Sequence, residues 1–260
     1  MNATSRSFES KLRGWTQRRM ARWLARRPCR FRLDRPIVSF TFDDFPKSAL
    51  LTAGNLLREH NFFGTYYTSF GLMGKRTPTG QAFTADDLDE FARQNHELAC
   101  HTFDHCDSWE TPPTDFERSI RRNQDAVQQT LPQFKLKTLS YPISYPRPLT
   151  KRLTAKHYTC ARGGGQTFNF DTTDLNHLKA FFLEQIHGDL DAVKRIVDEN
   201  TKANGWLIFA THDVAATPTR FGCTPELFAE TVRYVANSGA LVMPVHEAVQ
   251  HIQTPAGIPA

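Results

Sequence analysis

The sequence has no long hydrophobic run. Nowhere does it reach the ~20 consecutive apolar residues that a membrane-spanning helix needs. The N-terminus also lacks the apolar core of a signal peptide. The expectation is a cytoplasmic chain, peripheral at the inner membrane face if it meets a membrane at all. Cysteine is scarce and odd in number: Cys29, Cys100, Cys106, Cys160 and Cys223 are scattered and form no disulfide framework. A reducing compartment follows. No repeat or low-complexity tract is visible. Gly163-Gly164-Gly165 is not a phosphate loop, because no Lys-Ser/Thr pair follows it. A pervasive basic charge is missing too. The net charge of +5 comes from an arginine-rich N-terminus, and the rest is slightly acidic. An overall nucleic-acid binder is thereby excluded.

What is there begins with that basic arm. Phe8, Leu12, Trp15, Met20, Trp23 and Leu24 fall on one half of a helix, with Lys11, Arg18 and Arg22 opposite and Arg19 intruding. Basic residues and tryptophans over residues 8–27 fit a helix lying on an anionic membrane surface. They also fit a helix packed on the protein's own body with its arginines in water. From residue 35 onward, strand and helix signals alternate. Strands are expected at 37–42, 62–67, 97–100, 137–141, 157–162, 206–211 and 241–245. Helices are expected at 47–60, 84–94, 114–131, 148–156, 174–185, 190–204, 225–237 and 247–252. Such alternation without a linker predicts a single α/β barrel.

In an α/β barrel, function collects at the carboxyl ends of the strands. Strand 37–42 ends in Asp43-Asp44, and Phe45-Pro46 stops it. Adjacent carboxylates at the end of a buried strand raise each other's pKa, and a bound cation offsets this. Capping of the helix that starts near Lys47 is the blander reading. Strand 97–100 ends in His101-Thr102-Phe103-Asp104-His105, and strand 206–211 ends in His212-Asp213. Histidines four apart share one side of a helical turn. With one carboxylate they make a two-His, one-Asp site with positions open for water and substrate. Such a metal makes hydroxide available near neutral pH and polarises a carbonyl oxygen. Cys100 and Cys106, which flank the histidines, read as small buried hydrophobes.

These motifs carry a family resemblance. Thr41-Phe42-Asp43-Asp44, His101-Thr102-Phe103-Asp104-His105, a Tyr-Pro strand end and His212-Asp213 resemble, in order and spacing, the polysaccharide deacetylases of the NodB-homology type, carbohydrate esterase family 4. Phe63-Gly64-Thr65-Tyr66-Tyr67 looks like that family's second strand. The resemblance runs from about Arg35 to Ile252. It implies a distorted, incomplete (β/α) barrel of seven or so strands at 35–260, behind a basic amphipathic arm at 1–34. By that likeness Asp44, His101 and His105 would hold a divalent metal, zinc before cobalt or nickel. Asp43 would be the general base and His212 the general acid. The backbone N–H of Ile143 would help the metal to hold the oxyanion.

The chain also departs from the family. Ser140 falls where the family has an arginine that orients the base, so Arg162, in preference to Arg147, is expected to hold Asp43. Ala210 stands where the family usually has leucine. The carboxylate that tunes the acid histidine is not clearly placed, and Asp174 is the candidate for it. The activity implied is hydrolysis of an amide: metal-dependent removal of acetyl groups from N-acetylhexosamine residues of an exopolysaccharide or lipid-linked oligosaccharide. Two alternatives stand beside it. One is deformylation or deacetylation of a lipid-linked amino sugar, and the other is a carbohydrate-binding pseudoenzyme that keeps the metal site.

Overall fold

A computed structural model of the protein describes residues 8–254. Its central strand is β1 (Ile37–Phe42), whose β-branched and aromatic residues favour extended backbone and are buried on both faces. The other strands of the main sheet are β2 (Thr65–Thr68), β3 (Glu97–Cys100), β4 (Thr138–Ser140), β5 (Cys160–Arg162), β6 (Phe181–Phe182), β7 (Trp206–Thr211) and β8 (Leu241–Val242). They lie in the order β6-β7-β1-β2-β3-β4-β5, all parallel, and curl into a half-barrel. β8 pairs with the first residues of β1. The expected incomplete barrel is therefore what forms.

The helices are α1 (Phe8–Trp23), α2 (Asn55–Arg58), α3 (Ala85–Ala92), α4 (Pro113–Thr130), α5 (Pro148–Thr154), α6 (Leu190–Ala203), α7 (Pro225–Ala236) and α8 (Val245–Gln253). Alternation along the strands divides the core in two. Phe40, Phe42, Leu207 and Phe209 pack with Val193 and Val197 of α6 and Phe228 and Val232 of α7. Ile37, Trp206, Ile208 and Ala210 form a second cluster with Ala248 and Val249 of α8. Each buried side chain of this size stabilises the fold by about 1.5–3 kcal/mol. Polar groups among them are satisfied: Trp206 Nε1 donates to Ser39 Oγ at 3.0 Å, and Thr41 Oγ1 to Phe209 O at 2.8 Å.

Two segments differ from expectation. Residues 47–60 are helical, but their first part, Ala49–Gly54, is wound as a π-helix. Gly54 suits the tight packing there, since a Cβ would lie 3.0 Å from Tyr66 Oη. Residues 174–185 are not a helix. Their apolar residues at 175, 178 and 181 mimic helical spacing, but the backbone pairs with β5 instead: Leu178 N donates to Ala161 O and Gly163 N to Leu178 O. Tertiary pairing overrides local periodicity here.

The arm is stitched into the domain. Lys151 of α5, fully buried, donates to Ala21 O at 2.6 Å, Leu24 O at 2.8 Å and Asp174 Oδ2 at 2.7 Å. Carbonyls at a helix C-terminus lack intrahelical partners, and a cation there suits the helix dipole. Pro28–Arg30 then pairs antiparallel with Thr172–Asp174. Arg19 intrudes on the tryptophan side as expected, but Arg22, expected opposite, also lies against a tryptophan. Arg19 lies 4.8 Å from the Trp15 ring and Arg22 5.2 Å from that of Trp23. Both rings are exposed, and Ala21 is the buried position. Small size, not aromatic area, lets the helix approach α5. Residues 1–7 and the side chains of Phe8, Lys11 and Leu12 lie outside the described residues. Among the described residues no helix is long and apolar enough to cross a membrane.

Candidate metal and catalytic site

Strand register assembles the site. Phe42 pairs with Thr211, so Asp43 and His212 emerge side by side. The pairs Cys100 with Leu139 and Ser140 with Arg162 bring His101, Ser140 and Arg162 to one level across β3, β4 and β5. The loops that follow are held in left-handed backbone: Asp44 at φ 63°, Phe45 at 48°, Thr102 at 59°, His105 at 52° and Ile143 at 63°. Non-glycine residues tolerate this region only where their surroundings over-determine them.

Asp44, His101 and His105 each offer a ligand atom, all within 4.8 Å of one another. The Nε2 atoms of His101 and His105 lie 3.5 and 3.1 Å from Asp44 Oδ1. That oxygen is buried and accepts no hydrogen bond, while Oδ2 accepts one from Thr79 Oγ1 at 2.9 Å. An orphaned carboxylate oxygen facing two imidazole nitrogens is the donor set that a divalent cation fits. Burial opposes ionisation of Asp44, but the His105 ring, 3.1 Å from Oδ1, and the other imidazoles beside it outweigh this and hold the carboxyl below its usual range. Burial pushes the His101 ring down to about 4, so it is neutral near pH 7, as a ligand must be.

Asp43 is held beside them. Its Oδ1 accepts from Arg162 and, at 3.0 Å, from Ser140 Oγ, while Oδ2 accepts nothing from the described residues. Burial pushes the Asp43 carboxyl up, but Arg162, with His101 and His212, outweighs this and keeps it below the ordinary carboxylate value. Arg162 is itself fixed, buried between the Tyr67 ring at 5.1 Å and the Phe182 ring at 5.4 Å. Arg147 turns away to Thr111 O. His212 Nδ1 sits 3.1 Å from Phe221 O, which leaves Nε2 as its free nitrogen. Ile143 is 69% exposed, and its N–H donates to nothing among the described residues.

Several residues of this arrangement were not legible beforehand. Asp174 does not approach His212; it pairs with Lys151. The partner of His212 is a carbonyl, which carries no side-chain signal. Asp213 builds the loop that presents it, accepting from Thr219 N at 2.7 Å and Thr219 Oγ1 at 2.6 Å. Gly222 is needed in that loop because a Cβ would collide with Asp213. Thr79, which grips Asp44, comes from a short hairpin and stands in no motif.

Residues 32–162 match the family described as polysaccharide deacetylase. No curated protein is similar enough in sequence to match. Among solved structures, the chitin deacetylase from the fungal pathogen Colletotrichum lindemuthianum is similar at TM-score 0.60 and 15% identity, over 84% of this chain and 89% of that one. A family 4 carbohydrate esterase from Streptomyces lividans, in complex with acetate, gives 0.56 and 16%, over 81% and 93%. A BA3943 mutant, a CE4 family pseudoenzyme with restored enzymatic activity, gives 0.59 and 10%, over 85% and 70%. At these identities the likeness is one of fold.

Proposed function

Because the chain belongs to the polysaccharide deacetylase family, we propose that it is a metal-dependent hydrolase that removes acetyl groups from N-acetylhexosamine residues of a glycan. One observation carries this reading: the Asp44, His101 and His105 donors sit beside a carboxylate, Asp43, that is held at one oxygen and free at the other. Asp44, His101 and His105 would hold a divalent ion, zinc in our reading, which would supply Lewis acidity to the water and the acyl oxygen. Asp43 takes the proton of the attacking water through Oδ2. The Ile143 N–H donates to the oxygen that becomes negative. His212 Nε2 gives a proton to the nitrogen as the carbon–nitrogen bond breaks. Arg162 keeps Asp43 ionised and aimed. A pure binding role leaves Asp43 and His212 without purpose.

The substrate is an acetylated polymer or a lipid-linked oligosaccharide. The exposed Trp15 and Trp23, stacked by Arg19 and Arg22, favour the lipid-linked form, with the arm at an anionic membrane surface. Assaying purified, zinc-loaded protein on N-acetylglucosamine oligomers and on acetylated and formylated lipid-linked amino sugars tests the chemistry. Acetate is the expected product. Formate from the lipid-linked sugar alone moves the assignment to deformylation, and neither product overturns hydrolysis. Full-length protein should co-sediment with anionic vesicles at low salt, and loss of that binding on changing Trp15, Arg19, Arg22 and Trp23 together to alanine places the contact on the arm. Failure of the wild type to co-sediment overturns the membrane reading.

A further inference from the structure

Ser140 is fully buried at the end of β4, between the metal site and the base. Its Oγ lies 2.5 Å from His101 Nδ1 and 3.0 Å from Asp43 Oδ1. Its backbone oxygen is a second neighbour of His101 Nδ1, at 3.0 Å. We propose that the Ser140 hydroxyl is a positioning residue that joins metal ligand to base in one directed chain: His101 Nδ1–H donates to Oγ, and Oγ–H donates to Asp43. The inference rests on the metal reading above.

The direction follows from donor and acceptor counts. His101 faces Asp44 through Nε2, so ligation at Nε2 puts the ring proton on Nδ1. Asp43, ionised, only accepts, and the hydroxyl has one proton to give. That proton therefore goes to Asp43 and leaves a lone pair for His101. A hydroxyl can accept and donate at one atom; an arginine or lysine side chain in its place could only donate. Two effects result. The carboxylate charge, passed along a polarised chain, raises the basicity of His101 at Nε2. Asp43 Oδ1 is also pinned from two sides, by Ser140 and Arg162, so that Oδ2 is the oxygen left to act. Base and ligand are thus set by the same hydroxyl.

The test measures zinc affinity of the full-length protein by competition with a chelator, without substrate. Ser140→Ala should weaken zinc binding by about 10–100-fold, the usual effect of losing a partner behind a metal ligand. Ser140→Thr, which keeps the hydroxyl, should restore most of it. Asp43→Asn should weaken zinc binding in the wild type and add less in the Ser140→Ala background, since one chain carries both effects. Thermal melting of the zinc-free proteins shows whether each variant is folded. Wild-type affinity in Ser140→Ala overturns the inference, because the Nδ1 proton then rests on the backbone oxygen. So does a folded Ser140→Thr that binds no better than Ser140→Ala. If the wild type binds no zinc, the functional reading itself fails, a result distinct from either.

Discussion

Among the described residues, two ion pairs of a lysine or arginine lie buried, and they are finished differently. Lys151 and Asp174 join the arm to the barrel: the three Lys151 hydrogen bonds are all made within the protein, and Asp174 Oδ1 accepts from Arg27 N at 2.8 Å and Asn176 N at 3.0 Å. Arg162 and Asp43 close the site: one oxygen of Asp43 is held from two sides and the other accepts nothing from the described residues. Desolvating a charge is costly, so a buried pair persists only where further bonds offset that cost. A pair with nothing left over is structural. The pair at the site leaves Asp43 Oδ2 without a partner among the described residues, beside the three ligand donors.

The two buried pairs should respond differently to the loss of a partner. Asp43→Asn and His212→Ala should each lower turnover per folded molecule by about 10²–10⁴-fold, the usual contribution of a general acid or base, with melting temperature little changed in His212→Ala, while Asp43→Asn leaves the buried Arg162 without its counter-charge. Their double variant should lose less than the product, as one proton path serves both. Lys151→Met should do the reverse. Leaving Asp174 buried and unpaired costs about 3–5 kcal/mol of stability, read as a lower urea midpoint, while turnover per folded molecule stays at the wild-type level. Loss of turnover without loss of stability in Lys151→Met would put the arm junction into the catalytic machinery.

A smaller effect sharpens the boundary between the regions. Glu184 follows β6 near Asp43 and Arg162, with Oε2 buried and unpartnered. Burial pushes its carboxyl from an ordinary 4.5 up to about 8, Asp43 adding to the rise and Arg162 opposing it. The folded protein then binds a proton that the unfolded chain releases, so this group's stabilisation is complete below about pH 4.5 and is lost as pH rises to about 8. Glu184→Gln should flatten that decline in melting temperature between pH 5 and 8. An unchanged slope would show that Glu184 is ionised in the folded state.

The sequence made the barrel legible because β1 and β7 are buried strands of mostly β-branched and aromatic residues, and the site donors legible because each follows a strand within two residues or lies four residues beyond one that does. Asp43, Asp44, His101, His105 and His212 are all of this kind. Arg162 was reachable for the same reason, as the last residue of β5. Ser140 stands in the sequence only where an arginine is missing, since a hydroxyl says nothing of its two partners until the register of β3, β4 and β5 aligns them. Thr79 and the Phe221 carbonyl depend on loop paths that no periodicity records. The 174–185 segment failed because a three-residue apolar spacing arose in extended chain.

The proposed hydrolysis depends on the free oxygen of Asp43 beside the three donors. Acetate released from an N-acetylglucosamine oligomer by zinc-loaded wild type, Lys151→Met and Asp43→Asn, compared per folded molecule, tests it most directly. Release should be equal for the first two and at least about 10²-fold less for the third. Equal release by all three, or none by a zinc-loaded wild type on any acetylated amino sugar, would contradict it.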